Sequence, residues 1–326
     1  MITRRQLIKG AAALGLTGFA TGGYALAVEP YRLAIRRYAL SQPQWTKGPK
    51  LRVVALSDIH ANEPWTPVET IRRIVARANE LAPDIVVLLG DFTASHRFIQ
   101  RPVPHDAWAA ALADLRAPLG VYAILGNHDW WERFEWQKTR TGPTLVGTAL
   151  ERVGIPVLEN TSVRLVKDKR PFWISGLGDQ WAFWLTEQRQ KHRGNAGVRF
   201  MPDGTFGFEG RDDLPKTLAT LKDDAPAILL AHEPDIFPHV PARYGLTLSG
   251  HTHGGQVQFF GWAPKVPSIY GTRYLHGRVT EADSRGVDRD LIVSGGIGCS
   301  GAPIRFGRPP ELVVVDLAPP RAEGTA

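Results

Sequence analysis

Cysteine is almost missing from this chain. The single residue, Cys299, excludes an intrachain disulfide framework and any cysteine-rich zinc or iron–sulfur site. Its setting, Gly298-Cys-Ser-Gly301, reads as a small buried residue rather than a nucleophile. There is no internal repeat, and the only low-complexity stretch is the Pro/Gly-rich tail, 319–326. Apolar residues make up 43% and charged residues 22% of the 326, which excludes disordered and fibrous classes and leaves ample material for a core.

Charge is missing first at the N-terminus. Residues 10–27 carry no charge and are rich in Ala, Gly, Leu and Thr. They follow Arg4-Arg5, Leu7 and Lys9, the pattern of a twin-arginine export signal. Ala25-Leu26-Ala27 offers a cleavage site; retained, the same stretch would be an anchor of borderline length. Export to the periplasm, or to the outer face of the cytoplasmic membrane, is therefore expected, with the Tat translocase as a transient partner. Removing 1–27 takes away Arg4, Arg5 and Lys9 and no acid, so the formal charge falls from +7 to +4. A nucleic-acid partner loses most of its electrostatic support. One folded domain over 28–318 is expected to follow.

Short apolar runs recur along that domain and each ends in a polar cluster. Leu51–Leu56 leads to Ser-Asp58-Ile-His60, 85–89 to Gly90-Asp91, and 121–125 to Gly126-Asn-His-Asp129. The run 227–231 leads to His232, and 246–248 to Ser-Gly250-His-Thr-His253. Such runs suit strands buried on both faces. Helical stretches lie between them: 67–81, with Val68, Ile71, Ile74, Val75 and Ala78 on one face, then 108–115 and 215–221. Strand, helix, strand with short loops predicts a layered α/β sheet whose strand-end loops build one site.

The clusters bring together carboxylates, one amide oxygen and several imidazoles. Hard oxygen donors mixed with imidazole suit Mn, Fe, Zn, Co or Ni rather than a dedicated calcium site. Seven or eight donors exceed one tetrahedral ion, so two metals sharing a carboxylate is the economical reading. Asp129 is a candidate to orient one of the imidazoles, or to cap the next helix.

In this ordered set, D-x-H, G-D, G-N-H-D, A-H and G-H-T-H, the chain resembles the calcineurin-like metallophosphoesterase superfamily over about residues 50–317. The resemblance implies a four-layer α/β/β/α sandwich. It implies that Asp58, His60 and His253 hold one divalent metal, that Asn127, His232 and His251 hold a second, and that Asp91 bridges them, with manganese the first expectation. His128 would be no ligand but the group facing the leaving oxygen. The implied chemistry is hydrolysis of a phosphate ester by a metal-bridging hydroxide. Protein phosphatases of the superfamily carry an acid or amide three residues after the bridging Asp, where this chain has Ala94. With Gly250-His-Thr-His-Gly-Gly-Gln256 and Ser294-Gly-Gly-Ile-Gly298, it is more similar to bacterial envelope phosphodiesterases, a group that includes YkuE-like exported proteins and UDP-diacylglucosamine pyrophosphatases. Cleavage of a phosphodiester or pyrophosphate, in a lipid- or nucleotide-linked envelope substrate, is the expectation. A phosphomonoesterase and a metal-containing envelope-binding protein without turnover are the alternatives.

Ten tryptophans remain. Trp130, Trp131 and Trp136 follow the Asn-His-Asp motif, and Trp181 and Trp184 follow Gly178-Asp179. An aromatic wall beside the metals is one reading, packing of inserted loops the other. Trp181, Trp184 and Arg305 are candidate substrate contacts. The basic run in 188–199 reads as a solvated loop, with phosphate steering or contact with anionic head groups as the alternatives; Arg32, Arg36 and Arg37 raise the same membrane surface as a second partner.

Overall fold

The computed structural model describes residues 3–185, 198–200 and 207–320. Two main sheets form its centre. The first has the order β1 (Ala34–Leu40), β16 (Glu311–Leu317), β2 (Leu51–Leu56), β4 (Ile85–Leu88) and β6 (Val121–Ala123). The second has the order β14 (Gly277–Ala282), β15 (Asp288–Val293), β13 (Tyr244–Ser249), β12 (Ala227–Leu230), β8 (Arg170–Gly176) and β7 (Thr161–Lys167). Pairing is parallel through β2, β4 and β6, and again through β15, β13, β12 and β8. Antiparallel partners close the second sheet at both edges.

The side chains of each central strand sort by parity, which gives the layers. On β2, Val53 and Ala55 point to the second sheet and meet Phe172, Ile174, Ile228 and Leu248 there. Val54 and Leu56 point the other way, into a helical layer. That layer contains α2 (Val68–Glu80), α3 (His105–Leu112) and α6 (Leu145–Arg152). The face of α2 that the sequence predicts is the buried one, with Ile71, Ile74, Val75 and Ala78 inside. On the far side of the second sheet, Ala227, Leu229, Leu291 and Val293 pack against Leu214, Ile236 and Phe237. The expected four-layer α/β/β/α sandwich is thus present, but its fourth layer is thin. It consists of α7 (Leu214–Ala219) and the short 3-10 segments Pro234–His239 and Gly271–Tyr274.

Smaller elements decorate this frame. Two-residue strands β3 (Asn62–Glu63) and β5 (Arg101–Pro102) pair near the site. α4 (Asn127–Trp131) and α5 (Phe134–Thr139) follow β6. β9 (Phe183–Trp184), β10 (Val198–Phe200) and β11 (Gly207–Glu209) form a third sheet with β11 in the middle. The N-terminal residues expected to be a signal form α1 (Arg4–Ala27), capped at Thr3. Its last turn is seated on the body: Ala25 is buried and its carbonyl accepts the Arg305 N–H at 2.9 Å. Among the described residues no helix is long and apolar enough to cross a membrane. Much of the basic run in 188–199 and the end of the tail lie outside the described residues.

Candidate metal centre

All five polar clusters converge at the carboxyl ends of the parallel strands. β2 delivers Asp58 and His60, β4 Asp91, and β6 Asn127 and His128, which open α4. From the second sheet β12 delivers His232, and β13 delivers His251 and His253. Asp58, His60, Asp91, Asn127, His232, His251 and His253 are all buried. Asp58, His60 and His253 place donor atoms within 4.8 Å of one another, and so do Asp91, His232 and His251. Asp91 joins the two groups. Its Oδ2 is 3.2 Å from His232 Nε2 and 3.6 Å from His60 Nε2.

The backbone conformation behind this convergence is unusual. Asp58, His60, Asp91, His251 and His253 all have positive φ, between 46° and 68°. That is the left-handed region, which costs free energy for residues with a Cβ and is least costly for Asn, Asp and His. Reversing the chain just past each strand end turns the side chain back toward the sheet edge. Gly126 contributes by having no side chain: a Cβ there would lie 2.7 Å from His232 Nε2.

The imidazoles are oriented from behind. His60 Nδ1 donates to the Thr93 carbonyl at 2.7 Å, and His232 Nδ1 to the Leu89 carbonyl at 2.6 Å. Each bond fixes the tautomer that leaves Nε2 as a lone pair aimed into the site. His60 Nε2 and His253 Nε2 face each other at 3.1 Å. His251 Nε2 is buried without a hydrogen-bond partner, and His232 Nε2 has only the Asp91 carboxylate, 3.2 Å away. Asn127 Oδ1 lies 2.9 Å from His251 Nδ1. Buried lone pairs converging on carboxylates are costly unless a cation is bound among them. The donor set therefore fits divalent metal.

Electrostatics agree. Burial lowers His60 to about 3 and holds His251 and His253 well below the ordinary histidine value. Neutral imidazoles are the form that ligates. Burial also favours protonation of Asp91, but His232, His128 and His60 overcome it and hold the carboxyl well below its usual range. Asp58 moves the other way, to about 6, through burial and the nearby Asp91. Burial alone would lower His232; Asp91 raises it well above its ordinary value. A proton on His232 and a cation beside Asp91 answer the same need.

His128 stands at the mouth. Its backbone N–H donates to Asp91 Oδ1 at 2.9 Å, and its Nδ1 lies 2.8 Å from Ser95 Oγ. Burial lowers its pKa against the pull of Asp91. Ser95, one residue beyond Ala94, supplies the partner that the Ala94 position lacks; the sequence carried that signal next to the position inspected. Asp129 orients no imidazole. Its carboxylate accepts the N–H groups of Asp91, Phe92, Thr93 and Gly126, at 2.9–3.3 Å, so it caps α4 and holds the Asp91 loop to it. Burial, with Asp91 nearby, raises it to about 7.

A cavity of about 530 Å³ is elsewhere, under β1 and β2; the metal residues open into another, of about 520 Å³. Its wall carries Trp131, Trp181, Trp184 and Phe208. Trp181 stacks on Phe208 at 4.3 Å and meets His251 edge-on at 4.6 Å. Trp131 lies 4.3 Å from Trp184. Two of the candidate contacts, Trp181 and Trp184, are therefore at the site, whereas Trp130 and Trp136 belong to the core. Arg305 is not a substrate contact. It is fully buried, and its guanidinium donates to the carbonyls of Gly295, Gly298 and Arg308, with Nη2 3.3 Å from His253 Nδ1. It braces the loop behind His253. Sequence reasoning also passed over Asp179 and Glu233, which lie beside His232 in a third buried donor group. The signal was there: Gly178-Asp179 follows β8 as Gly90-Asp91 follows β4.

The family model for calcineurin-like phosphoesterases matches residues 51–255. The chain belongs to that family. Its relatives include the metallophosphoesterase YkuE of Bacillus subtilis, 28% identical over 97% of this chain and 98% of the relative. The UDP-2,3-diacylglucosamine pyrophosphatase LpxG of Chlamydia trachomatis is 27% identical over 88% of this chain and 90% of its own. The phosphodiesterase YaeI of Escherichia coli is 26% identical over 97% and 100%. As a member of the calcineurin-like phosphoesterases, the chain is a metal-dependent phosphoester hydrolase with the α/β fold expected of it.

Proposed function

We propose that this calcineurin-like phosphoesterase hydrolyses phosphodiester or pyrophosphate bonds, in a lipid- or nucleotide-linked substrate at the outer face of the cytoplasmic membrane. The observation that carries the reading is Asp91 Oδ2 between His60 and His232, on the floor of a cavity walled by aromatic rings. Asp58, His60 and His253 would hold one divalent cation and Asn127, His232 and His251 the other, with Asp91 available to both; manganese is the first metal to try. Bound there, the pair supplies Lewis-acid polarisation of the phosphoryl oxygens and lowers the pKa of water to the neutral range.

The chain's own residues do the rest. Ser95 and the His128–Asp91 backbone bond fix the His128 ring, whose Nε2 is the place to hold a proton for the departing oxygen. An incoming phosphate anion favours the imidazolium that burial alone disfavours. Preference for a diester follows from charge and shape. Among the described residues the cavity lining carries one cationic side chain, Lys265, a poor match for the extra charge of a monoester. The rings of Trp131, Trp181 and Trp184 offer area for a second ester substituent, acyl chain or base. The pyrophosphatase and phosphodiesterase activities for which LpxG and YaeI are named point the same way. Twin-arginine export, read from Arg4-Arg5 and the uncharged 10–27, belongs to this proposal.

The test is hydrolysis of matched nitrophenyl phosphate diesters and monoesters with Mn, Zn, Fe, Co, Ni or a chelator. Diester preference restored by one metal is expected. Monoester preference would replace the reading with a phosphatase, and silence with metal bound would replace it with a binding protein.

A further inference from the structure

An aromatic hairpin protrudes close to the metal cavity without entering it. Phe259 and Trp262 exchange backbone hydrogen bonds of 2.8 and 2.9 Å across a two-residue turn. Phe260 and Gly261 at its tip have φ of 48° and 89°. A tight turn with both central residues left-handed normally selects Asn, Asp or Gly. Here a Phe occupies the strained place and is fully exposed, and Trp262 is 64% exposed beside it. The stalk is firm. Gln258 donates to the Phe306 carbonyl at 2.7 Å, Phe306 donates to Gln256 at 3.0 Å, and Phe306 packs on Phe259 at 4.9 Å.

The same Phe306 meets Tyr24 of α1 edge-on at 6.3 Å. The hairpin and the foot of α1 are thus one surface, to which exposed Leu26 and Val28 add apolar area. Cations flank it: Arg32 donates to the Tyr24 hydroxyl at 2.7 Å, and exposed Lys265 lies three residues past Trp262. The stalk also borders the active centre. A second cavity, about 360 Å³ and lined by Gln256 and Val257, shares His253, Pro264 and Lys265 with the metal cavity.

We infer that the hairpin 258–262 is a membrane-docking element that inserts Phe260 and Trp262 into the interface of an anionic lipid bilayer. Aromatic rings at a protruding tip with cations at its base match the layering of a bilayer interface, apolar below and anionic at headgroup level. A protein partner would need a surface of about 800 Å² per side, which a two-residue tip does not present. Retained as an anchor rather than cut at Ala27, α1 supplies the complementary argument. Its charge-free length is not apolar enough to span a bilayer, and weak anchors become stable in pairs. Docked this way, the mouth shared by the two cavities would lie at headgroup level. That last step deepens the lipid-linked substrate reading and rests on it; the docking itself does not.

The experiment uses the metal-loaded full chain and vesicles of phosphatidylcholine with phosphatidylglycerol. Sedimentation of wild type is compared with that of Phe260→Asp/Trp262→Asp. A probe is also placed at Phe260→Cys with Cys299→Ala, read by its emission shift. Loss of vesicle partition by at least about tenfold in the double variant is expected, with hydrolysis of a soluble diester within about twofold and a blue shift at position 260. Equal partition of the two proteins would overturn the inference. So would a probe that stays in water while the chain is bound, or self-association through the hairpin without vesicle binding. A wild type that docks but cleaves no diester would sink the proposed function and leave the docking intact.

Discussion

His128 and Asp91 differ by what their removal leaves behind. Asp91 faces both donor groups, so Asp91→Asn should lose metal as well as activity. Elemental analysis should show fewer than two ions per folded chain, and turnover should fall by about a thousandfold or more. His128→Ala leaves all seven candidate ligands in place. It should keep its metals and lose about a hundred- to ten-thousandfold in kcat, the range for an absent proton donor. Retained turnover in both variants would reject the assignment. The residues that converge as candidate ligands were legible in the sequence because Asp, Asn and His at strand ends are rarely structural as a set. The carbonyls of Leu89 and Thr93 behind His232 and His60 were not legible, since any residue supplies a carbonyl. Arg305 was misjudged because a buried arginine bonded to three carbonyls and an exposed one awaiting phosphate have the same letter.

Elements were legible in proportion to their burial. The central strands showed as unbroken apolar runs; β1 and β7 did not, because edge strands carry charge, here Arg36, Arg37, Arg164 and Lys167. The aromatic wall was half legible. Tryptophans mark it, but only the third sheet shows that Trp184 pairs with Phe208 while Trp130 turns into the core. Trp181→Ala with Trp184→Ala should therefore cut hydrolysis of a lipid-linked diester more than that of a soluble one. Equal loss on both would sink the lipid-wall role. Glu311, first residue of β16, ties the two sheets: it accepts from the Gly295 N–H, from His276 and from Arg36. Burial would raise its pKa, but His276 and the other donors overcome this and lower it. Its stabilisation is thus full above the ordinary glutamate range and lost as pH falls through the depressed value. Glu311→Gln should cost about 1.5–3 kcal/mol near neutral pH, with the gap from wild type closing in acid, as denaturant titrations at several pH values would show.

The molecule as a whole joins two mixed sheets whose parallel strands share, at their carboxyl ends, one set of buried donors, so metal binding and folding should be coupled. Each sheet contributes to both donor groups: Asp58 and His60 come from the first and His253 from the second, Asn127 from the first and His232 and His251 from the second. Cations bound there would cross-link the layers. Without them the site keeps buried carboxylates near one another and imidazole lone pairs with no partner. A ligand that binds only the folded state stabilises it by about 2.7 kcal/mol at a hundredfold excess over its Kd. Exhaustive chelation should therefore lower the thermal midpoint by several degrees or more, and titrating metal back should restore it in step with activity. Calorimetry of the chelated and reloaded chain, with metal analysis alongside, reads both quantities. Two ions per chain at full recovery is the expected end point, and a chain fully restored in midpoint and turnover by one ion would overturn the paired site.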